Sequence, residues 1–154
     1  MIYIGIDPGL SGAIAAIDED DAVKVLRDLP RTLWGYRDVA YFPDDTFCVV
    51  EDVCGRPGQS CVANTTFMKY AGYAELLGMT YVDAEEDFIK VKPQTWKKHF
   101  GLITKDLTKT QRKHLSIDLA KRLFPTVADQ LTASKDGRAE ALLIAKYCKD
   151  MFNV

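Results

Sequence analysis

The sequence predicts an α/β domain built on one mixed sheet with helices packed against it. Three apolar stretches in the first 28 residues have the composition of β-strands, and the acidic turn at 18–21 joins the second to the third as a hairpin. Two further short apolar stretches then alternate with stretches of helical period, which favours parallel strands. The 154 residues suffice for one such domain and not for two, so we expect a single domain over 1–154.

Each element is predicted from a local pattern. We expect strands at 2–7, about 12–17, about 22–28, 46–51 and 88–91, where β-branched and aromatic residues lie between polar turns. Helices are predicted from about 60 to 82, from Pro93 to a stop at Gly101, from 109 to 124 and from 137 to 152. In the third helix Leu115, Leu119 and Leu123 form the apolar face. The segment 30–45 has mixed character and predicts no single element.

Composition limits the class of protein. Hydrophobic residues make up 47% of the chain and charged residues 27%, as in ordinary globular proteins. No apolar run approaches the length of about 18 residues that a membrane span needs, and the chain starts without the features of a secretory signal. The four cysteines form no CxxC pair, so we expect reduced thiols, no zinc site and a cytoplasmic protein without membrane contact.

Four acidic residues stand where a charge is expensive to bury. Asp7 and Glu51 each end an apolar strand, and Asp136 with Glu140 falls at the start of the last helix. Each also has a purely structural interpretation. Asp7 could be a turn residue and Glu51 could pair with Arg56, while Asp136 could be an N-cap and Glu140 could complement the helix dipole.

Taken together, the four acids predict a metal site. If the first and fourth strands are neighbours, both of their terminal carboxylates emerge at one end of the sheet, and the last helix can bring its two acids there. Clustered carboxylates repel one another, and hard divalent cations such as Mg²⁺ remove that repulsion. Two such ions about 3.5–4 Å apart are suited to in-line displacement at phosphorus.

The net charge of −2 conceals a strongly basic segment. Ten basic and two acidic residues lie between Lys90 and Arg122, which gives this segment a charge of +8 and leaves −10 for the rest. A basic stripe on an acidic body can follow a phosphate backbone, although a solvated helix face is the simpler alternative. Trp96 is predicted to lie in the core rather than to stack on a base. The expected phosphate contacts are Lys97, Lys98, Lys109, Arg112 and Lys113.

Five blocks follow one another along nearly the whole chain: GIDPGLSGAIA, VVED, VKPQTWKKHFG, KHLSIDLAKRLFP and DGRAEALLIA. In this order they resemble the blocks of RuvC-type Holliday-junction resolvases, above all the short forms carried by bacteriophages. The resemblance implies a ribonuclease-H-like fold, a homodimer, and Mg²⁺- or Mn²⁺-dependent incision of four-way or related branched DNA. It also implies 5′-phosphate and 3′-hydroxyl product ends, and a site in the cytoplasm of a bacterial host if the gene belongs to a phage.

The resemblance assigns roles to the four acids. Asp7 would bridge two metal ions, Glu51 would hold one, and Asp136 with Glu140 would hold the other. The last two acids are four residues apart, one more than in the cellular enzymes, and the final acid is Glu where they have Asp.

A second departure concerns the contact with the junction centre. The family carries an apolar or aromatic side chain beyond its second acid, and this chain has Val53, Cys54 and Gly55 there. The sequence therefore does not identify a junction-probing residue, and it leaves the cut-site preference open.

Three alternative functions remain open at this point. An actin- or sugar-kinase-type ATPase also uses an Asp-x-Gly turn, but it needs two such domains around its nucleotide. A pre-ribosomal-RNA nuclease of the same fold shares the carboxylates. A non-catalytic junction-binding protein would keep the basic segment, but an unused acidic cluster would destabilise it and repel DNA.

Overall fold

The computed structural model describes residues 1–40, 42, 45–55 and 57–153. Its strands are β1 (Ile2–Asp7), β2 (Ala13–Asp18), β3 (Val23–Asp28), β4 (Thr46–Glu51) and β5 (Phe88–Val91). They form one mixed sheet in the order β3-β2-β1-β4-β5. The pairs β1–β2 and β2–β3 are antiparallel, whereas β1–β4 and β4–β5 are parallel. The predicted α/β class and the mixed sheet are confirmed.

The described residues form five α-helices, each bounded by local signals. They are α1 (Leu33–Tyr36), α2 (Cys61–Met79), α3 (Pro93–His99), α4 (Lys109–Leu123) and α5 (Asp136–Phe152). The Ser60 and Thr108 side chains cap α2 and α4 by accepting from backbone N–H groups of the first turn. Gly101, with a φ of +67°, follows α3 and ends it as predicted. The short helix α1 lies in the segment for which the sequence predicted no element.

The sheet lies between two helical layers. On one face, Ile4, Ile6 and Val50 pack with residues of α1 and α2. On the other face, Tyr3 and Val49 pack with residues of α3, α4 and α5. Because side chains alternate along a strand, every second residue of β1 and β4 points towards α5.

Helix α5 lies directly on the middle of the sheet. Gly5 of β1 is the point of closest approach, because a Cβ atom at this position would overlap the backbone of Ala141 and Ala145. This contact fixes the height of α5 over the carboxyl end of β1, and therefore the position of the residues in its first two turns.

The buried face of α4 differs from the predicted one. Ser116, Ile117 and Ala120 are buried, whereas Leu123 is exposed and Leu115 and Leu119 are half-buried. The buried stripe lies beside the stripe of leucines on the helix surface. Its small residues, Ser116 and Ala120, allow α4 to approach α5 closely. Of the three predicted leucines, Leu119 packs against the edge of the core, and the prediction was wrong for Leu123.

Two further observations concern the length of the helices and the state of the thiols. None of the described helices is long and apolar enough to cross a bilayer. All four cysteines are free, Cys48 and Cys148 in the interior and Cys54 and Cys61 at the surface.

Candidate metal centre

Three of the four predicted acids meet at the carboxyl end of the parallel strands. Asp7 ends β1 and Glu51 ends β4, directly after the paired residues Ile6 and Val50. Both side chains belong to the set that faces α5, and Glu140 lies in the second turn of that helix. One carboxylate oxygen from each acid lies within 4.8 Å of the other two. We call these three residues the acidic triad.

Two glycines, Gly12 in the loop after β1 and Gly137 in the first turn of α5, allow this arrangement. A Cβ atom at Gly137 would overlap the carbonyl oxygen of Ser11 and would come within 3.1 Å of Asp7 Oδ2. A Cβ atom at Gly12 would overlap the carbonyl oxygen of Asp7. The loop after β1 can therefore fold back on the end of the strand only because Gly12 lacks a side chain, and the first turn of α5 can pack against that loop only because Gly137 does. This packing brings Glu140 to Asp7.

Asp136 lies at the edge of the site rather than within the triad. It is the first residue of α5, and the N-cap position is occupied by Lys135, so the interpretation of Asp136 as an N-cap was wrong. Its Oδ2 forms an ion pair with Lys113 Nζ at 2.9 Å. Asp136 also lines the cleft that contains the triad.

The surroundings of Asp7 disfavour its negative charge. Loss of solvent around the carboxyl group raises its pKa well above the usual value, and the charges of Glu140 and Glu51 raise it further. Lys97 acts in the opposite direction. A divalent cation among these oxygens would reverse the balance, because it would attract all three carboxylates at once.

Helix α3 supplies hydrogen-bond donors to two members of the triad. The indole Nε1 of Trp96 donates to Glu51 Oε1 at 2.9 Å, and the next residue, Lys97, donates from Nζ to Glu140 Oε1 at 3.0 Å. Trp96 is fully buried, which confirms its predicted place in the core. Sequence reasoning missed its contact with Glu51, because the two residues lie 45 positions apart and no local pattern joins them.

A cleft and a basic cavity meet at the acids. The cleft, of about 810 Å³, has the triad and Asp136 on its lining, together with Val53, Cys54 and Gly55. Phe67 of α2 also reaches this cleft, although it lies far from the second acid in sequence. The adjoining cavity has a volume of about 580 Å³ and shares Lys97, Asp136 and Glu140 with the cleft.

The basic cavity collects most of the predicted phosphate contacts. Lys97 contributes from α3, while Lys109, Arg112 and Lys113 lie on one stripe of α4. Among the residues that the structure describes, neither Lys109 nor Arg112 has a carboxylate within ion-pairing distance. Lys98 is exposed and lines neither the cleft nor the cavity.

The proposed pairing of Glu51 with Arg56 lies outside the described residues, since Arg56 is not among them.

Comparison with known proteins adds no further assignment: a scan against protein-family models gives no match, and a search of curated proteins gives none either.

Proposed function

We propose that this protein is a Mg²⁺-dependent endonuclease of the ribonuclease-H-like type that resolves four-way DNA junctions or cuts related branched DNA. The observation that carries the proposal is the acidic triad at the end of β1 and β4 beside a cavity lined by Lys97, Lys109, Arg112 and Lys113. A phosphodiester can reach the basic residues and the acids together, because cleft and cavity share part of their lining. The order of the strands and the five resembling blocks support the same fold family.

The donor set fits a hard divalent cation. The triad offers carboxylate oxygens alone, which are the ligands that Mg²⁺ and Mn²⁺ accept, and it includes no thiol or imidazole. In the proposed two-ion site Asp7 would contribute to both ions, Glu51 would hold one, and Glu140 with Asp136 would hold the other. When bound, the two ions supply Lewis acidity and an activated water for in-line displacement at phosphorus.

The lysines position the substrate. Lys97 and Lys113 are ion-paired with Glu140 and Asp136, and both also line the basic cavity. Each ammonium can therefore turn from a carboxylate to a phosphate oxygen without leaving the site. Lys109 and Arg112 add positive charge along the same stripe, where contacts to the backbone hold a duplex arm in register without reading its sequence.

We further propose a homodimer, because symmetric incision of a junction needs two equivalent sites. Exposed apolar side chains on α1 and α2 support this: Leu33, at 61% exposure, and Leu76, at 62%, line one groove together with Tyr73. Protein surfaces seldom expose large apolar side chains in a group unless a partner covers them. The place of action would be the cytoplasm, of a bacterial host if the gene is carried by a phage.

The decisive experiment compares labelled substrates in Mg²⁺: a four-way junction, a linear duplex of the same sequence, and a structured RNA. We expect paired nicks in the junction, ligatable 5′-phosphate ends, and no cleavage by Glu140→Gln. The matched control is Glu86→Gln, because Glu86 is an exposed residue of the short 3₁₀ helix Glu85–Asp87 and lines neither the cleft nor the basic cavity. Preferential cleavage of RNA would support the pre-ribosomal-RNA nuclease instead. Tight binding of the junction without cleavage would support the non-catalytic junction-binding protein.

A further inference from the structure

We propose that Trp96 is a positioning residue that holds the carboxylate of Glu51 in place for the cation, an inference that rests on the metal site of the proposed function. The indole Nε1 donates to Glu51 Oε1 at 2.9 Å, and this is a hydrogen bond between two buried side chains. Glu51 is 7% exposed and Trp96 is fully buried. The indole of Trp96 therefore cannot exchange this partner for bulk water.

The chemistry of the donor suits this role. An indole N–H can only donate, so it fixes which oxygen of Glu51 it contacts and cannot compete for a cation itself. It carries no charge, so it orients the carboxylate and leaves its full negative charge for a metal ion. A lysine in the same place would neutralise the ligand.

The adjacent residue Lys97 also donates a hydrogen bond to the triad, but its contact is charged and partly exposed. Its Nζ bonds to Glu140 and lies 4.8 Å from the centre of the Trp96 ring, but its side chain is 30% exposed and its charge can move to a phosphate. Helix α3 therefore gives one member of the triad a permanent neutral donor and another an exchangeable charged one.

The backbone explains why the indole reaches Glu51. Val91, the last residue of β5, is paired with Glu51 in the parallel register. Pro93 starts α3 two residues later, so Trp96 lies in the first turn beyond the end of β5. The side chain then closes back over the neighbouring strand, on the face that also carries Asp7. Core packing alone would require only the ring, whereas the observed arrangement also uses its N–H group.

The first test is spectroscopic and needs no activity. The chain has two tryptophans, and the other, Trp34, is largely exposed. We expect two indole signals in a ¹H–¹⁵N spectrum, assigned with Trp34→Phe. The Trp96 signal should exchange slowly with solvent and shift saturably as Mg²⁺ is added, and the Mg²⁺-dependent shift should vanish in Glu51→Gln. A Trp96 signal that stays fixed while calorimetry records Mg²⁺ binding would overturn the inference.

The second test uses Trp96→Phe, which keeps an aromatic ring and removes the donor. Loss of a group that orients a metal ligand weakens metal affinity by about 10- to 100-fold, and we expect that increase in the Mg²⁺ half-saturation concentration, measured by calorimetry. The control is Trp34→Phe, the same substitution at an exposed position, which should leave Mg²⁺ binding unchanged. The KM for DNA should stay near the wild-type value in Trp96→Phe, because the phosphate contacts are untouched.

The outcomes separate this inference from the proposed function. If wild-type protein cleaves junctions and Trp96→Phe binds Mg²⁺ as tightly as wild type, the positioning role fails and the nuclease remains. If no substrate is cleaved but Trp96→Phe still weakens Mg²⁺ binding, the nuclease fails and the positioning role stands. If Trp96→Phe does not fold, the response of the indole signal to Mg²⁺ in wild-type protein decides.

Discussion

Replacing Asp7 with Asn should stabilise the metal-free protein while it removes the metal site. The acidic triad holds one oxygen of each of three carboxylates within 4.8 Å of the others, and in the absence of a cation Lys97 offsets part of their repulsion at Asp7. Asn has nearly the same shape as Asp and no charge. The substitution therefore tests whether this part of the fold tolerates an electrostatic cost for the sake of binding a cation.

The structure sets the size of the effect. Two unit charges 4.8 Å apart interact by about 3.5 kcal/mol at an effective dielectric constant of about 20. Asp7 takes part in two such pairs, but Lys97 and partial protonation of Asp7 reduce the cost. We expect a net gain of about 1–3 kcal/mol in the free energy of unfolding of the Asn variant at neutral to alkaline pH. For a domain of this size each kcal/mol raises the melting temperature by about 2–4 °C.

The gain should depend on pH in a defined direction. The pKa of Asp7 is raised in the folded state, so the folded protein binds more protons than the unfolded chain above the unfolded-state pKa of about 3.9. Stability of the wild-type apoprotein must then fall as the pH rises from that value through the folded-state pKa. The Asn variant lacks this dependence, so the two proteins should converge in acid and diverge as the pH increases.

The assay is thermal unfolding in EDTA between pH 4 and 9, repeated with saturating Mg²⁺. Wild-type protein should gain stability with Mg²⁺, by about 2.7 kcal/mol at a concentration 100 times its dissociation constant, and Asp7→Asn should gain little. Asp83→Asn, at an exposed position, is the matched control. A variant less stable than wild type at pH 8 without metal would disprove the electrostatic cost, because the carboxylate would then be making a net favourable contact.

Three further outcomes are expected. Lys97→Ala should weaken junction binding and reduce the slope of log K against log salt by about one unit for each phosphate that is no longer bound. Lys98→Ala should change this slope less. Equilibrium titrations at several salt concentrations measure both slopes. Gly137→Ala should lower the melting temperature and the Mg²⁺ affinity, because the new Cβ atom would overlap the backbone of Ser11. The control is Gly72→Ala, which has open space around it and should leave stability unchanged or raise it by up to about 1 kcal/mol. The protein should sediment as a homodimer; a monomer that persists with junction DNA bound would contradict the proposed symmetric incision.

The placement of the triad was largely predictable from the sequence. Asp7 and Glu51 each follow a short apolar run, and strand alternation puts both on one face once β1 and β4 are parallel neighbours. The prediction for Glu140 depended on α5 crossing the end of β1, which the small residues Gly5 and Gly137 make possible. The apolar runs, the strand alternation and the two glycines are local patterns, and together they are compatible with a single placement of the three acids.

Other features depend on long-range side-chain contacts that no local pattern encodes. Asp136 and Lys113 form an ion pair across two helices, so the fourth acid lies beside the triad in a way that helix geometry alone did not predict. The contact between Trp96 and Glu51 joins residues 45 positions apart. The orientation of α3, which separates the roles of Lys97 and Lys98, follows from packing that the charge pattern does not reveal.

The proposed chemistry is tested most sharply by the rate of four-way junction cleavage as a function of Mg²⁺ concentration, measured for wild-type protein and for Glu51→Gln. We expect saturable, EDTA-sensitive cleavage by wild-type protein and a decrease of at least about a hundredfold in the variant. Junction binding by the variant should be intact or tighter, because the substitution removes a charge that repels phosphate. Turnover by Glu51→Gln at more than a few per cent of the wild-type rate, or wild-type cleavage that persists in EDTA, would contradict a metal-dependent nuclease built on Asp7, Glu51 and Glu140.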